Sequence, residues 1–116
     1  MKKILIGLAC VLSFRAESLE YEQQFENDQV CVSRVVIAPK EEIGLHRDAV
    51  PQIVIALKGG VITRLESDGK EVDVLFPTNK AVYRPVDPEN EQHKSVNRSD
   101  ESIEIIIIQL KNNLSK

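Results

Sequence analysis

Residues 46–52 read His46-Arg47-Asp48-Ala49-Val50-Pro51-Gln52, and Gly59 closes the stretch after six more residues. In a strand, residues two apart share a face, so His46 and Asp48 are placed to point inward together while Arg47 faces out. A second polar stretch, Pro88-Glu89-Asn90-Glu91-Gln92-His93-Lys94-Ser95-Val96-Asn97, is a proline-led turn entering a strand that opens on histidine. His46 and His93 are the two histidines of the chain. Both sit beside segments with strand periodicity.

Those segments are 30–37, 52–57, 61–65, 71–76, 80–84, 93–97 and 102–110, all short and rich in β-branched residues. No helical pattern competes with them. Between them lies turn chemistry: Asn27-Asp28, Pro39-Lys40, Gly59-Gly60, Ser67-Asp68-Gly69, Pro77-Thr78-Asn79 and the run from Pro85 to Asn90. Turns recurring about every 8–12 residues indicate a sandwich or barrel. The last segment, from Ser102 to Ile108, begins by alternating and then turns apolar on both faces. Such a strand is expected to be covered on both sides, by the opposite sheet and a flanking segment or by a second subunit.

With 116 residues, 42% hydrophobic and 28% charged, the chain has room for one domain and composition enough for a core. A disordered tail and a disulfide-rich miniprotein are excluded. At the start, Lys2 and Lys3 precede an apolar run from Ile4 to Phe14, and Ala16-Glu17-Ser18 offers small residues for a signal peptidase. Residues 1–18 are therefore expected to be a secretory signal peptide and residues 19–116 a single barrel domain in the periplasm or outside the cell. The run is too short to span a bilayer stably, so no lasting membrane insertion is expected after processing. Lipidation at Cys10 is disfavoured by the bulky Leu8 ahead of it.

Processing removes Lys2, Lys3 and Arg15 against Glu17, so the formal charge moves from −3 to −5. A negative body without a basic stripe repels phosphate backbones, and nucleic acid is not an expected partner. Cys31 is the sole cysteine of residues 19–116, so no disulfide is expected within the mature domain. In Val30-Cys31-Val32 it reads as a small buried hydrophobe.

Taken together, the two polar stretches resemble the motifs of the cupin family, small antiparallel jelly-roll barrels also called double-stranded β-helices. The family's first motif runs Gly, five residues, His-x-His, three or four residues, Glu, six residues, Gly. Residues 40–59 keep that spacing, with Lys40 for the first glycine, His46 retained, Asp48 for the second histidine, Gln52 for the glutamate and Gly59 retained. Of the second motif, Pro88, His93 and Asn97 are kept, and Asn90 replaces a glycine. The resemblance spans about residues 30–111 and implies an all-β fold.

The resemblance also implies a ligand set for one divalent metal, Fe, Mn, Zn or Ni, at His46, Asp48, Gln52 and His93, with no organic cofactor. Two imidazoles and one carboxylate suit a non-haem iron site, with Gln52 as a neutral oxygen ligand or a donor holding Asp48 or water. Glutamine in place of glutamate weakens hard-cation binding because charge neutralisation is lost. The alternative is a barrel interior in which these groups bond one another and water. Asp48 turned outward toward Arg47 is a further option.

Candidate ligand contacts are Gln52, Tyr83 and Arg64. Tyr83 otherwise reads as cross-strand packing, and Arg34, Arg64 and Arg84 as outer-face charges rather than anchors for a carboxylate ligand. Asp87 to Glu91 reads as a solvated acidic loop. No phosphate-binding glycine loop, nucleophile elbow or Cys/His nucleophile is present in the sequence. Two functions fit: a binding module for a small polar ligand, or a metal-dependent oxygenase-type enzyme. The residues leave catalysis open. A homodimer is expected in either case, because a barrel this small buries a limited core alone.

Overall fold

Burial alternates along the strands and builds two facing sheets. The computed structural model describes residues 20–111. Among them the strands are β1 (Glu20–Glu26), β2 (Val30–Ile37), β3 (Glu42–His46), β4 (Gln52–Lys58), β5 (Gly60–Glu66), β6 (Glu71–Phe76), β7 (Ala81–Arg84), β8 (His93–Val96) and β9 (Ile103–Leu110). One sheet has the order β1-β2-β9-β4-β7 and the other β3-β8-β5-β6. Each strand pair is antiparallel. The fold is thus all-β and antiparallel, as the turn spacing indicates, and takes the jelly-roll form that the family resemblance implies. The expected signal peptide lies outside the described residues. No helix among the described residues is long and apolar enough to cross a membrane.

β1 and β3 fall outside the segments that periodicity marks. β1 is a polar edge strand, with Glu20, Glu22, Gln23, Gln24 and Phe25 exposed; charge on such an edge discourages pairing with other chains. β3 is five residues long and too irregular to show a period.

Register stacks the inward side chains of the larger sheet in rows. Cys31, Gln109, Gln52 and Arg84 align across β2, β9, β4 and β7. Ser33, Ile107, Val54 and Val82 form the next row, and Val35, Ile105 and Ala56 the one after. The inner face is therefore polar at one end and apolar at the other. At the apolar end Val35, Ile37, Ala56, Ile103 and Ile105 join Ile62 and Phe76 of the facing sheet in the core. Full burial of one such Ile or Val side chain stabilises by about 1.5–3 kcal/mol.

β9 resolves its apolar run by alternation. Ile103, Ile105 and Ile107 are buried in the barrel, whereas Ile106 and Ile108 are half-buried on the outer face. There Ile108 stands between Val32 and Ile53. Cys31 is 1% exposed, as its apolar context suggests.

Three motif positions prove structural. Lys40, standing where the resembled motif has glycine, adopts a left-handed backbone with φ of 67°. A Cβ on Gly59 would lie 2.0 Å from the Phe76 carbonyl oxygen, so the β4–β5 turn admits only glycine there. Asn97 is fully buried; its amide donates to the carbonyls of Ile37, Ala38 and Glu101, and its Oδ1 accepts from the Ser99 amide.

Candidate metal centre

His46 reaches the barrel interior through an irregularity in β3. Ile43 pairs with Ser95 and His46 with His93, so three steps along β3 match two along β8. A regular ladder would face Leu45 inward with Ile43; the extra residue turns Leu45 out, to 54% exposure, and His46 in. The His46 and His93 side chains are then 9% and 3% exposed, with ring centroids 4.4 Å apart.

Asp48 follows the end of β3 and lies in a loop, not within the inward-facing strand expected from its spacing. Its carboxylate still enters the barrel. Oδ1 lies 3.6 Å from His46 Nε2, and Oδ2 lies 3.6 Å from His93 Nε2. These separations exceed a hydrogen bond. They are close to the ~3.4 Å edge of a tetrahedron whose ligands stand ~2.1 Å from a central ion. One donor atom each from His46, Asp48 and His93 falls within a 4.8 Å span.

Backbone contacts orient the first ring. His46 Nδ1 lies 2.7 Å from the Gly44 carbonyl oxygen, which can only accept, so in the neutral ring Nδ1 carries the proton and Nε2 keeps its lone pair. His93 Nδ1 lies 3.3 Å from Asp87 Oδ2, an ion-pair distance without the directionality of a hydrogen bond. Burial holds the His93 imidazolium below its ordinary range; the positive charges of His46 and Arg64 act in the same sense, and Asp48 and Asp87 oppose them. Neutral imidazoles are the form a metal needs.

Asp87 ties this end of the barrel together. It is 6% exposed, which corrects its reading as part of a solvated loop; Glu89 and Glu91 are exposed. Asp87 Oδ2 accepts the Asp48 amide at 2.8 Å, and the Asp87 amide donates to the Asp48 carbonyl at 2.9 Å. Arg47 donates to the carbonyls of Asp87 and Pro88 from above. Arg64 donates to Glu66 at 3.0 Å and Asp87 at 3.3 Å. A buried carboxylate is stable only with such partners. Sequence reading misses Asp87 because its neighbours Pro88 to Asn90 are turn residues and its partners lie 23 to 40 residues away.

The cluster borders a cavity of about 80 Å³, space for roughly five waters at ~15 Å³ each. Gln52, 6% exposed, and Arg64 line it beside His46, Asp48 and His93, so both reach the site from their own strands. Arg64 is therefore not on the outer face. Tyr83 is not brought there: it is 60% exposed, facing out from β7 opposite Ile53. Its neighbour Arg84, read as an outer-face charge, takes the inward position and lines the cavity.

Solved structures with this architecture are numerous. A cupin domain from Bordetella pertussis superposes with a TM-score of 0.72 at 21% identity, over 86% of this chain and 100% of that one. An RmlC-like cupin family protein with a double-stranded β-helix fold from Methanocaldococcus jannaschii gives 0.62 at 17% identity, over 90% and 93% of the two chains. A Cupin 2 conserved barrel domain protein from Salinispora arenicola gives 0.58 at 22%, over 95% and 91%. No family model and no curated protein matches the sequence. The chain is a small cupin-fold domain, with a His46, Asp48 and His93 group compatible with a divalent metal.

Proposed function

We propose that this cupin-fold domain is an exported binding module: its barrel holds one divalent metal ion at His46, Asp48 and His93, with Gln52 beside them, and offers that ion to a small polar ligand in the cavity. One observation carries the reading. Both imidazole Nε2 atoms stand 3.6 Å from the two oxygens of a single carboxylate, with one ring locked by the Gly44 carbonyl. Two neutral imidazoles and one carboxylate are adequate ligands for Fe, Mn, Zn or Ni, and they leave coordination positions for a ligand.

Thermal melting in the presence of each metal tests the proposal. An ion that binds only the folded state raises the melting temperature in a concentration-dependent way. Wild type should respond, and the His46→Ala, His93→Ala double variant should not; equal responses would remove the assignment.

A second reading is an iron-dependent enzyme of the oxygenase type, favoured by the two-His, one-carboxylate set with open positions. Against it, the described residues lining the cavity include no further carboxylate or imidazole to act as a base beyond these ligands. Dioxygen uptake by the Fe²⁺-loaded protein with a candidate substrate would promote this reading above the first.

Export rests on the Lys2-Lys3 and apolar pattern at the N-terminus. The first residue of the native protein should then be Leu19. Retention of Met1 would contradict export by cleavage and would leave Cys10, the chain's other cysteine, available to Cys31. A homodimer through the outer face of the larger sheet is proposed from the aligned row Phe25, Val32, Ile108, Ile53 and Tyr83; sedimentation as a monomer at high concentration would count against it.

A further inference from the structure

We infer that the cavity takes a small carboxylate anion with a compact apolar tail, the carboxylate being gripped by the Arg84 guanidinium. The inference deepens the binding reading above and rests on it for the neighbouring metal.

Five arginines lie among the described residues, and four have their guanidinium groups engaged. Arg34 pairs with Glu104, Arg64 with Glu66 and Asp87, and Arg98 with Glu71, while Arg47 donates to two carbonyls. No such partner holds the Arg84 guanidinium, although Arg84 is half-buried and lines the cavity. Its register partner is Gln52, so both side chains rise from the same inner face at the polar end of the barrel. A guanidinium partly withdrawn from water regains what desolvation removes when an anion arrives, and its planar fork matches a carboxylate.

The rest of the wall sets the tail. Ile37, Val54, Phe76, Ile105 and Ile107 supply hydrocarbon, with Ser95 adding a hydroxyl. A polyol or a sugar would lose most of its hydration there without replacement, whereas methyl groups are welcome. The volume of about 80 Å³ admits a short, branched tail. Charge agrees: Arg64 with Asp87 and Glu66 carries a formal −1, a divalent ion on neutral imidazoles and Asp48 carries +1, and Arg84 brings the site to a net +1.

The test compares 2-methylpropanoate with its isostere 2-methylpropanamide, titrated into the full chain and followed by NMR, in metal-free and Co²⁺-loaded forms. The acid should bind at least tenfold more tightly than the amide, and Arg84→Gln should weaken the acid at least tenfold. Tyr83→Phe, on the outer face of the same strand, should leave acid binding as in wild type. Equal affinity for acid and amide in the wild type would overturn the inference without any variant. So would acid binding that Arg84→Gln does not change, or no acid binding in either form. Arg84-dependent acid binding by a protein that takes up no Co²⁺ would defeat the metal reading and leave the anion site standing. Co²⁺ uptake without acid binding would do the reverse.

Discussion

His46 stands directly opposite His93 because β3 carries one residue more than β8 between this pair and the one formed by Ile43 and Ser95. Removing the exposed Leu45 should restore a regular ladder in which His46 stands two residues from Ile43, still opposite His93 and on the inward face. The deletion variant is expected to keep its β-sheet circular dichroism and most of its metal affinity, whereas an alanine inserted after Leu45 should turn His46 outward and lose affinity as fully as His46→Ala does. Affinity unchanged by the insertion would show that register does not aim the ring.

Asp87 touches the Asp48 amide and the Arg64 guanidinium and faces His93 Nδ1, without belonging to the proposed ligand group of His46, Asp48 and His93 itself. Groups that orient ligands in this way typically alter affinity by about 10–100-fold when changed. Asp87→Asn keeps the shape and removes the charge. Competition against a chromophoric chelator should show a loss of that size, with a smaller loss for Glu89→Gln in the same loop. Equal effects would reduce Asp87 to one more loop acid.

The pH dependence of the metal-free protein follows from His93. Burial, followed by the charges of His46 and Arg64, holds its folded-state value below the ordinary 6.5. Between those two values the unfolded chain binds the proton and the folded one does not. Stability is therefore full above 6.5 and falls as pH is lowered from there toward the folded-state value. Urea unfolding across this window should show the decline, and His93→Gln should flatten it. A decline equally steep in the variant would assign the effect to other groups.

Much of the architecture was legible because strands buried on one face write alternation into the chain, as 30–37 and 102–110 do. The centre was legible only in part. His46, Asp48 and His93 converge as motif spacing suggests, but Asp48 does so from a loop and His46 through an irregularity, and neither follows from a period of two. Arg84 and Tyr83 exchange their expected faces because a four-residue strand fixes no phase without its neighbour β4. Asp87 hides in a turn whose composition reads as solvent-facing, and its burial depends on distant partners.

Gly59 answers a steric demand at the β4–β5 turn. The Phe76 carbonyl, 2.0 Å from where a Cβ would sit, belongs to backbone, and so does the Thr78 nitrogen at 2.7 Å. Neither can swing aside as a side chain would. Gly59→Ala is expected to destabilise by about 3 kcal/mol, the upper part of the range for overpacking, whereas Gly44→Ala meets no atom within 4 Å. Chemical denaturation of the two variants checks the contrast, and similar midpoints would refute it.

Whether two rings and one carboxylate hold an ion is decided most directly by elemental analysis of native protein purified without chelators, beside the His46→Ala, His93→Ala variant prepared identically. About one equivalent of iron, manganese, zinc or nickel in the wild type, absent from the variant, is the expected result. A wild type that carries none of these, and takes up none on dialysis against each, would contradict the metal centre.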